Sequence, residues 1–179
     1  MQRTYTLGHG TLASADFITL IRNAGIEAVA DIRTVPRSRH NPQYESAAMC
    51  EWLPAAGIRY AHYKALGGWR RPRTDSPNVA LRNAAFRGYA DYMMTDEFAK
   101  AIDLLVPSLE ERPTALMCSE SVWWRCHRRL VADYLVLVKS WDVRDLMHDG
   151  RAELHRLTAG ARLVDGRLRY DGRSEIKSR

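Results

Sequence analysis

No run in this sequence is long and apolar enough to cross a bilayer. Nor is there a leader pattern: the chain begins directly with a strand-like segment, so a cytoplasmic setting without membrane contact is expected. Cysteine is scarce. Three residues, an odd number in dissimilar contexts, do not make a disulfide framework, which again points to a reducing compartment. Lysine is nearly missing, with four among 27 basic residues. Internal repeats, low-complexity tracts and linkers are also absent, so 179 residues read as one domain with a substantial core.

Arginine takes lysine's place. Against 21 acidic residues the chain carries a net charge of +6 and a pI near 9.5. A guanidinium holds phosphate or carboxylate in a fixed fork, where lysine offers only a point charge. The expected partner is therefore an anionic small molecule or nucleic acid. Codon usage alone can also raise arginine content, so charge by itself does not identify a ligand.

Residues 5–7 read as a strand that ends at Gly8-His9-Gly10. Ser14 is placed as the N-cap of a helix carrying Phe17, Leu20, Ile21 and Ala24 at helical spacing, with Gly25 as its stop. A second strand at 26–32 gives a β-α-β opening, which normally makes a parallel pair. A loop follows at 33–42, then a helix at 46–56 that Pro54 should kink or shorten. Strand 58–62 leads into an irregular stretch at 64–85, long enough to be functional or mobile. A short helix at 86–94 and one capped by Thr95 precede strand 114–117, a helix with Leu130, Val131, Tyr134, Leu135 and Val138 as its core stripe, and strand 143–147. Asp165-Gly166 signals a tight hairpin, and 174–179 reads as a frayed end. The alternation predicts a three-layer α/β domain over 1–157, with an open, mainly parallel sheet of about five strands. A small C-terminal hairpin extension and tail occupy 158–179.

The apolar runs stop at His9, Asp31, Arg33, His62, Cys118, Glu120 and His148. In a parallel sheet these share one edge, and the pocket is expected between strands one and four, where chain order commonly reverses. Cys118 is the candidate nucleophile, since Arg125, His127 and the following helix can stabilise a thiolate. A small buried thiol finishing a strand is the alternative. The layout resembles rhodaneses and cysteine phosphatases, but Cys118 to Arg125 is one residue longer than their cradle and contains no glycine.

Glu120 is the preferred acid/base, because a carboxylate beside two indoles can be partly desolvated. An ion pair with Arg125 or Arg128 is the competing reading. His9 is the candidate proton carrier. Arg33, Arg37, Arg128, Trp124 and His127 form the expected ligand-binding set. Cys118 with Cys126-His127 matches no common zinc spacing, so no metal and no cofactor are expected, and Cys126 is assigned to core packing.

Several segments together resemble an uncharacterised conserved family, the domain of unknown function 488. They are Thr6-Leu-Gly-His9, Asp31-Ile-Arg33-Thr-Val-Pro36-Arg37-Ser38, Gly57-Ile-Arg-Tyr60, Leu66-Gly-Gly68, Phe86-Arg87-Gly88-Tyr89-Ala90-Asp91-Tyr92-Met93, and Cys118-Ser-Glu120 through Arg125-Cys126-His127-Arg128. The resemblance runs from strand one to strand five and implies a Rossmann-like fold. It brings no established activity. It does place His9, Arg33, Arg37, Cys118, Glu120, Cys126, His127 and Arg128 on recurring motifs. The family often has proline after Glu120, where this chain has Val122-Trp123-Trp124. The expected function is an enzyme acting on an anionic, phosphate-bearing ligand at the C-terminal edge of the sheet. The alternatives are a non-catalytic nucleic-acid-binding or adaptor module, or a thiol/sulfur-transfer protein using Cys118.

Overall fold

The computed structural model describes residues 2–172. β1 (Arg3–Gly8), β2 (Ala28–Asp31), β3 (Arg59–His62), β4 (Thr114–Cys118) and β5 (Asp142–Leu146) run parallel. β6 (Ala152–Leu154) pairs antiparallel with β5, giving the order β3-β2-β4-β1-β5-β6. β2 and β4 are buried along their whole length, as central strands covered on both faces must be.

Among the described residues five α-helices cover the sheet: α1 (Ser14–Asn23), α2 (Ser46–Ala55), α3 (Ala84–Tyr92), α4 (Asp96–Glu111) and α5 (Arg128–Leu137). Neighbouring strand residues face opposite ways. Met117 accordingly joins Leu7, Phe17, Ile21, Met49 and Leu53 in one core, while Leu116 joins Ile32, Phe98, Ile102, Leu105 and Leu130 in the other. The three-layer α/β arrangement with a mostly parallel sheet is what the alternation of elements implied.

Local details differ. The sheet has six strands, because three exposed residues after the turn at 147–151 extend its edge. Ser14 is the first residue of α1 rather than its cap; Ala13 holds the cap position and no side chain bonds there. Pro54 lies in the last turn of α2, which ends at the next residue. Asn83 caps α3, its Oδ1 accepting from the N–H groups of Ala85 and Phe86 at 2.9 and 3.3 Å. Thr95 caps α4 as expected, accepting from Phe98.

The stretch at 64–83 is irregular but tied down. The buried Asp91 carboxylate accepts from Arg73 N–H (2.8 Å), Ser76 Oγ (2.6 Å) and Asn78 Nδ2 (2.8 Å). β7 (Ala161–Val164) and β8 (Arg167–Tyr170) form the C-terminal hairpin. Asp165 and Gly166 between them have φ of 50° and 73°, the pair of positive angles that a two-residue hairpin turn requires. Leu168 and Tyr170 enter the core, and the Tyr170 hydroxyl donates to Asp133 at 2.8 Å. The frayed end expected at 174–179 lies outside the described residues. Among the described residues no helix is long and apolar enough to cross a membrane.

Candidate active site

The chain builds β1, β2 and β3 in one direction, then inserts β4 between β2 and β1 and continues outward with β5. The loops after β1, β2 and β4 therefore part around a common crevice, where open α/β sheets hold their ligands. A cavity of about 610 Å³ opens there, within the range of small-molecule sites. His9, Arg33, Arg37, Cys118, Glu120 and His127 all line it.

At its floor two thiols meet one imidazole. Cys118 ends β4, and Cys126 and His127 lead into α5. His127 Nδ1 lies 3.8 Å from Cys118 Sγ and 3.6 Å from Cys126 Sγ. The other ring nitrogen, Nε2, sits 3.1 Å from the Ile32 carbonyl, which can only accept. Nε2 therefore carries the proton, and Nδ1 is left facing the sulfurs. All three residues are buried. The Cys126 thiol and then His127 and Arg128 hold Cys118 well below the usual thiol range, against the opposing effect of burial. Burial and the neighbouring Cys118 push Cys126 the other way. The pair thus favours one thiolate, on Cys118.

The glycines at 67 and 68 make this packing possible. A Cβ on Gly68 would sit 2.5 Å from His127 Nδ1, and one on Gly67 would sit 2.7 Å from the Thr34 nitrogen. Both positions need the missing side chain because of close approach. Cys126, which spacing assigned to core packing, belongs to the cluster. No regular sequence pattern marks it, because its partners come from a strand end and a helix start.

His9 and Arg33 lie in the cleft wall with their polar atoms already engaged. Arg33 grips Asp31 through Nε (2.9 Å) and Nη2 (2.6 Å), and Nη2 also donates to the Tyr44 carbonyl at 2.9 Å. Its Nη1 donates to His9 Nε2 at 3.1 Å. His9 Nδ1 then donates to the Gly10 carbonyl at 2.9 Å, and the ring stacks on Tyr44. Burial, and next the Arg33 charge, lower the His9 pKa to about 4. His9 is therefore neutral at physiological pH and holds Arg33 rather than shuttling protons. Most of the Arg33 charge is matched by Asp31.

Arg128 and Trp124 are placed differently from the sequence expectation. Arg128 is fully buried, and its guanidinium donates to the carbonyls of Glu120 and Ser121, the latter at 3.1 Å. It shapes the loop instead of meeting a ligand. Trp124 stacks edge-on with Trp123 and lines a separate depression of about 460 Å³ with Phe86 and Arg129. Trp123 in turn packs on the buried His155. The two indoles thus point away from the cleft and do not desolvate Glu120.

Three charged side chains remain available. The Glu120 carboxylate and the Arg37 and Arg125 guanidiniums all line the cleft, and none makes a hydrogen bond or ion pair among the described residues. The loop after β4 is fixed through its backbone. Its four successive carbonyls from Cys118 to Ser121 accept from His9 N–H, Gly10 N–H and the two ends of Arg128. Comparison with curated proteins and with solved structures finds no match. The family model described as domain of unknown function DUF488 matches residues 14–135, and the chain belongs to that family.

Proposed function

We propose that this protein is an enzyme that attacks an anionic, phosphate-bearing small molecule with the Cys118 thiolate. The observation that carries this reading is the contact between Cys118 and His127 at the floor of a cleft with two unpaired guanidiniums on its rim. His127 Nδ1 takes the thiol proton. Arg37 and Arg125 hold the ligand's anionic group, and Arg33 completes the wall. Cys118 Sγ bonds to the electrophilic centre as the leaving group departs with the proton that His127 took, and the Glu120 carboxylate then deprotonates the water that frees the product from sulfur. His9 acts through Arg33 as a positioning residue. A cytoplasmic setting suits three unpaired cysteines.

The test is a panel of nucleotides and phosphate esters incubated with wild type and Cys118→Ser, followed by intact mass and turnover. A Cys118 adduct or turnover that Cys118→Ser abolishes is expected. Arg37→Ala and Arg125→Ala should each weaken it by roughly 10- to 150-fold, as losing a charged hydrogen bond of ~1.5–3 kcal/mol implies. Turnover undiminished in Cys118→Ser, or none on any member of the panel, would overturn the reading.

One observation favours a second reading, binding of single-stranded nucleic acid. Trp69 is 77% exposed at the lip of the cleft, next to Arg70 and the exposed Arg71. An exposed indole flanked by guanidiniums suits base stacking. Affinity for an oligonucleotide that falls steeply with salt and with Trp69→Ala, with no change in the nucleic acid, would select this reading.

A further inference from the structure

We propose that Cys118, Cys126 and His127 form a binding site for a thiophilic divalent cation of the zinc class. Their two Sγ atoms and Nδ1 would be three ligands, and the fourth position would face the cleft. The three ligand atoms already lie within 4.8 Å of one another. With metal–sulfur and metal–nitrogen bonds of ~2.3 and ~2.0–2.1 Å, a tetrahedral site separates sulfur from nitrogen by about 3.6 Å. The observed separations are 3.8 and 3.6 Å. The sulfur–nitrogen separations therefore already suit an ion.

Two further features point the same way. Metal-bound histidines usually donate their second ring N–H to a carbonyl, which fixes the tautomer. His127 does so to Ile32, aiming its free lone pair between the sulfurs. The Arg128 N–H, first in α5, points to Cys126 Sγ at 3.5 Å, where it stabilises a thiolate ligand. Two thiolates balance the charge of a divalent ion, and a sulfur–nitrogen donor set selects zinc over magnesium or calcium. Three protein ligands with an open fourth position are the arrangement of catalytic rather than structural zinc.

The site stands on this geometry and not on Cys118 being a nucleophile. The two uses of the sulfur exclude one another. An ion occupies the lone pair that attack requires, so the zinc-loaded protein is silent in thiolate chemistry and presents a Lewis acid beside Glu120 instead. Binding also releases thiol protons, so affinity rises with pH.

The experiment uses the full chain, reduced, stripped with a chelator and freed of it. Cobalt(II) should bind at one equivalent with a thiolate-to-metal charge-transfer band and tetrahedral visible bands, and one equivalent of zinc should displace it. Zinc should protect Cys118 and Cys126 from alkylation while Cys50, exposed on α2, reacts as before. Cys126→Ser and His127→Asn should weaken binding by about 100-fold or more, and Cys50→Ser should not. The protection pattern in wild type decides the matter where a variant fails to fold. Absence of the charge-transfer band, stoichiometric binding that survives both ligand variants, or equal alkylation of all three cysteines overturns the proposal. None of these readouts uses a substrate, so their failure leaves the Cys118 adduct test standing, and the reverse holds.

Discussion

Arg128, buried at the start of α5, donates from both ends of its guanidinium to the successive carbonyls of Glu120 and Ser121. A lysine in its place has the charge but not the fork. Arg128→Lys should lower stability by ~1.5–3 kcal/mol, the range for a lost hydrogen bond to a charged group. Urea unfolding checks this. An unchanged midpoint would show that the loop holds its shape without the bridge.

Gly68 presses on the His127 imidazole. Its substitution by alanine places a methyl 2.5 Å from His127 Nδ1, so the ring must tilt away from the sulfurs. Overpacking of this kind costs ~1–3 kcal/mol. Because a small misplacement near reacting atoms is amplified, the alkylation rate of Cys118 should fall about 10- to 100-fold. Stopped-flow alkylation with mass-spectrometric assignment reads the effect, and a rate within twofold of wild type would count against the assigned contact.

The Cys118 thiol should titrate below the ordinary range of about 8.5, because Cys126 and His127 stabilise its charged form. The pH profile of Cys118 modification by iodoacetamide should show this midpoint. Cys126→Ala and His127→Asn should each move it upward. A wild-type midpoint at or above the ordinary value refutes the pairing.

His155 lies between two buried carboxylates, its Nδ1 2.8 Å from Asp145 and its Nε2 3.1 Å from Asp133. Burial opposes its charge, but the two aspartates prevail and raise its pKa to about 9. A raised folded-state pKa stabilises the protein fully below the unfolded value of 6.5 and less as pH rises towards 9. The loss across that window should be on the order of 3 kcal/mol. Cys118 has the opposite sign, since its folded pKa is depressed, so the measurement belongs in a Cys118→Ser, Cys126→Ser background. Chemical denaturation at several pH values supplies the slope. A flat profile between pH 6.5 and 9 is incompatible with a charged His155.

The sheet was legible because its strands are apolar runs that end in polar residues. Even the crevice followed from that, since parallel strands bring such ends to one edge. The role of each side chain was less visible. His9, Arg33 and Arg128 sit on recurring motifs, yet their hydrogen bonds go to Gly10, Asp31 and two loop carbonyls. Distant partners decide whether an arginine is free, and no local pattern encodes them. Cys126 was hidden for the same reason: its cluster draws on a strand end, a helix start and a carbonyl 94 residues before it in sequence. The glycines at 67 and 68 stood in an irregular stretch, and their use is to let the backbone approach Thr34 and His127.

The two sides of the cleft are not equally free. The stretch bearing Cys118 and Glu120 is strapped down at every carbonyl from 118 to 121. Across from it, the backbone at 35–41 is held within the loop, by Arg37 N–H on the Val35 carbonyl and Asn41 N–H on Ser38 Oγ, and where the chain runs on into α2, by Ser46 N–H on the Pro36 carbonyl and Tyr44 N–H on the Asn41 carbonyl. Accommodation to ligands of different shape thus falls to the Arg37 side, while the sulfur side stays fixed as an anvil. Exchanging residues 35–41 between relatives should retune what is accepted without retuning the chemistry done to it.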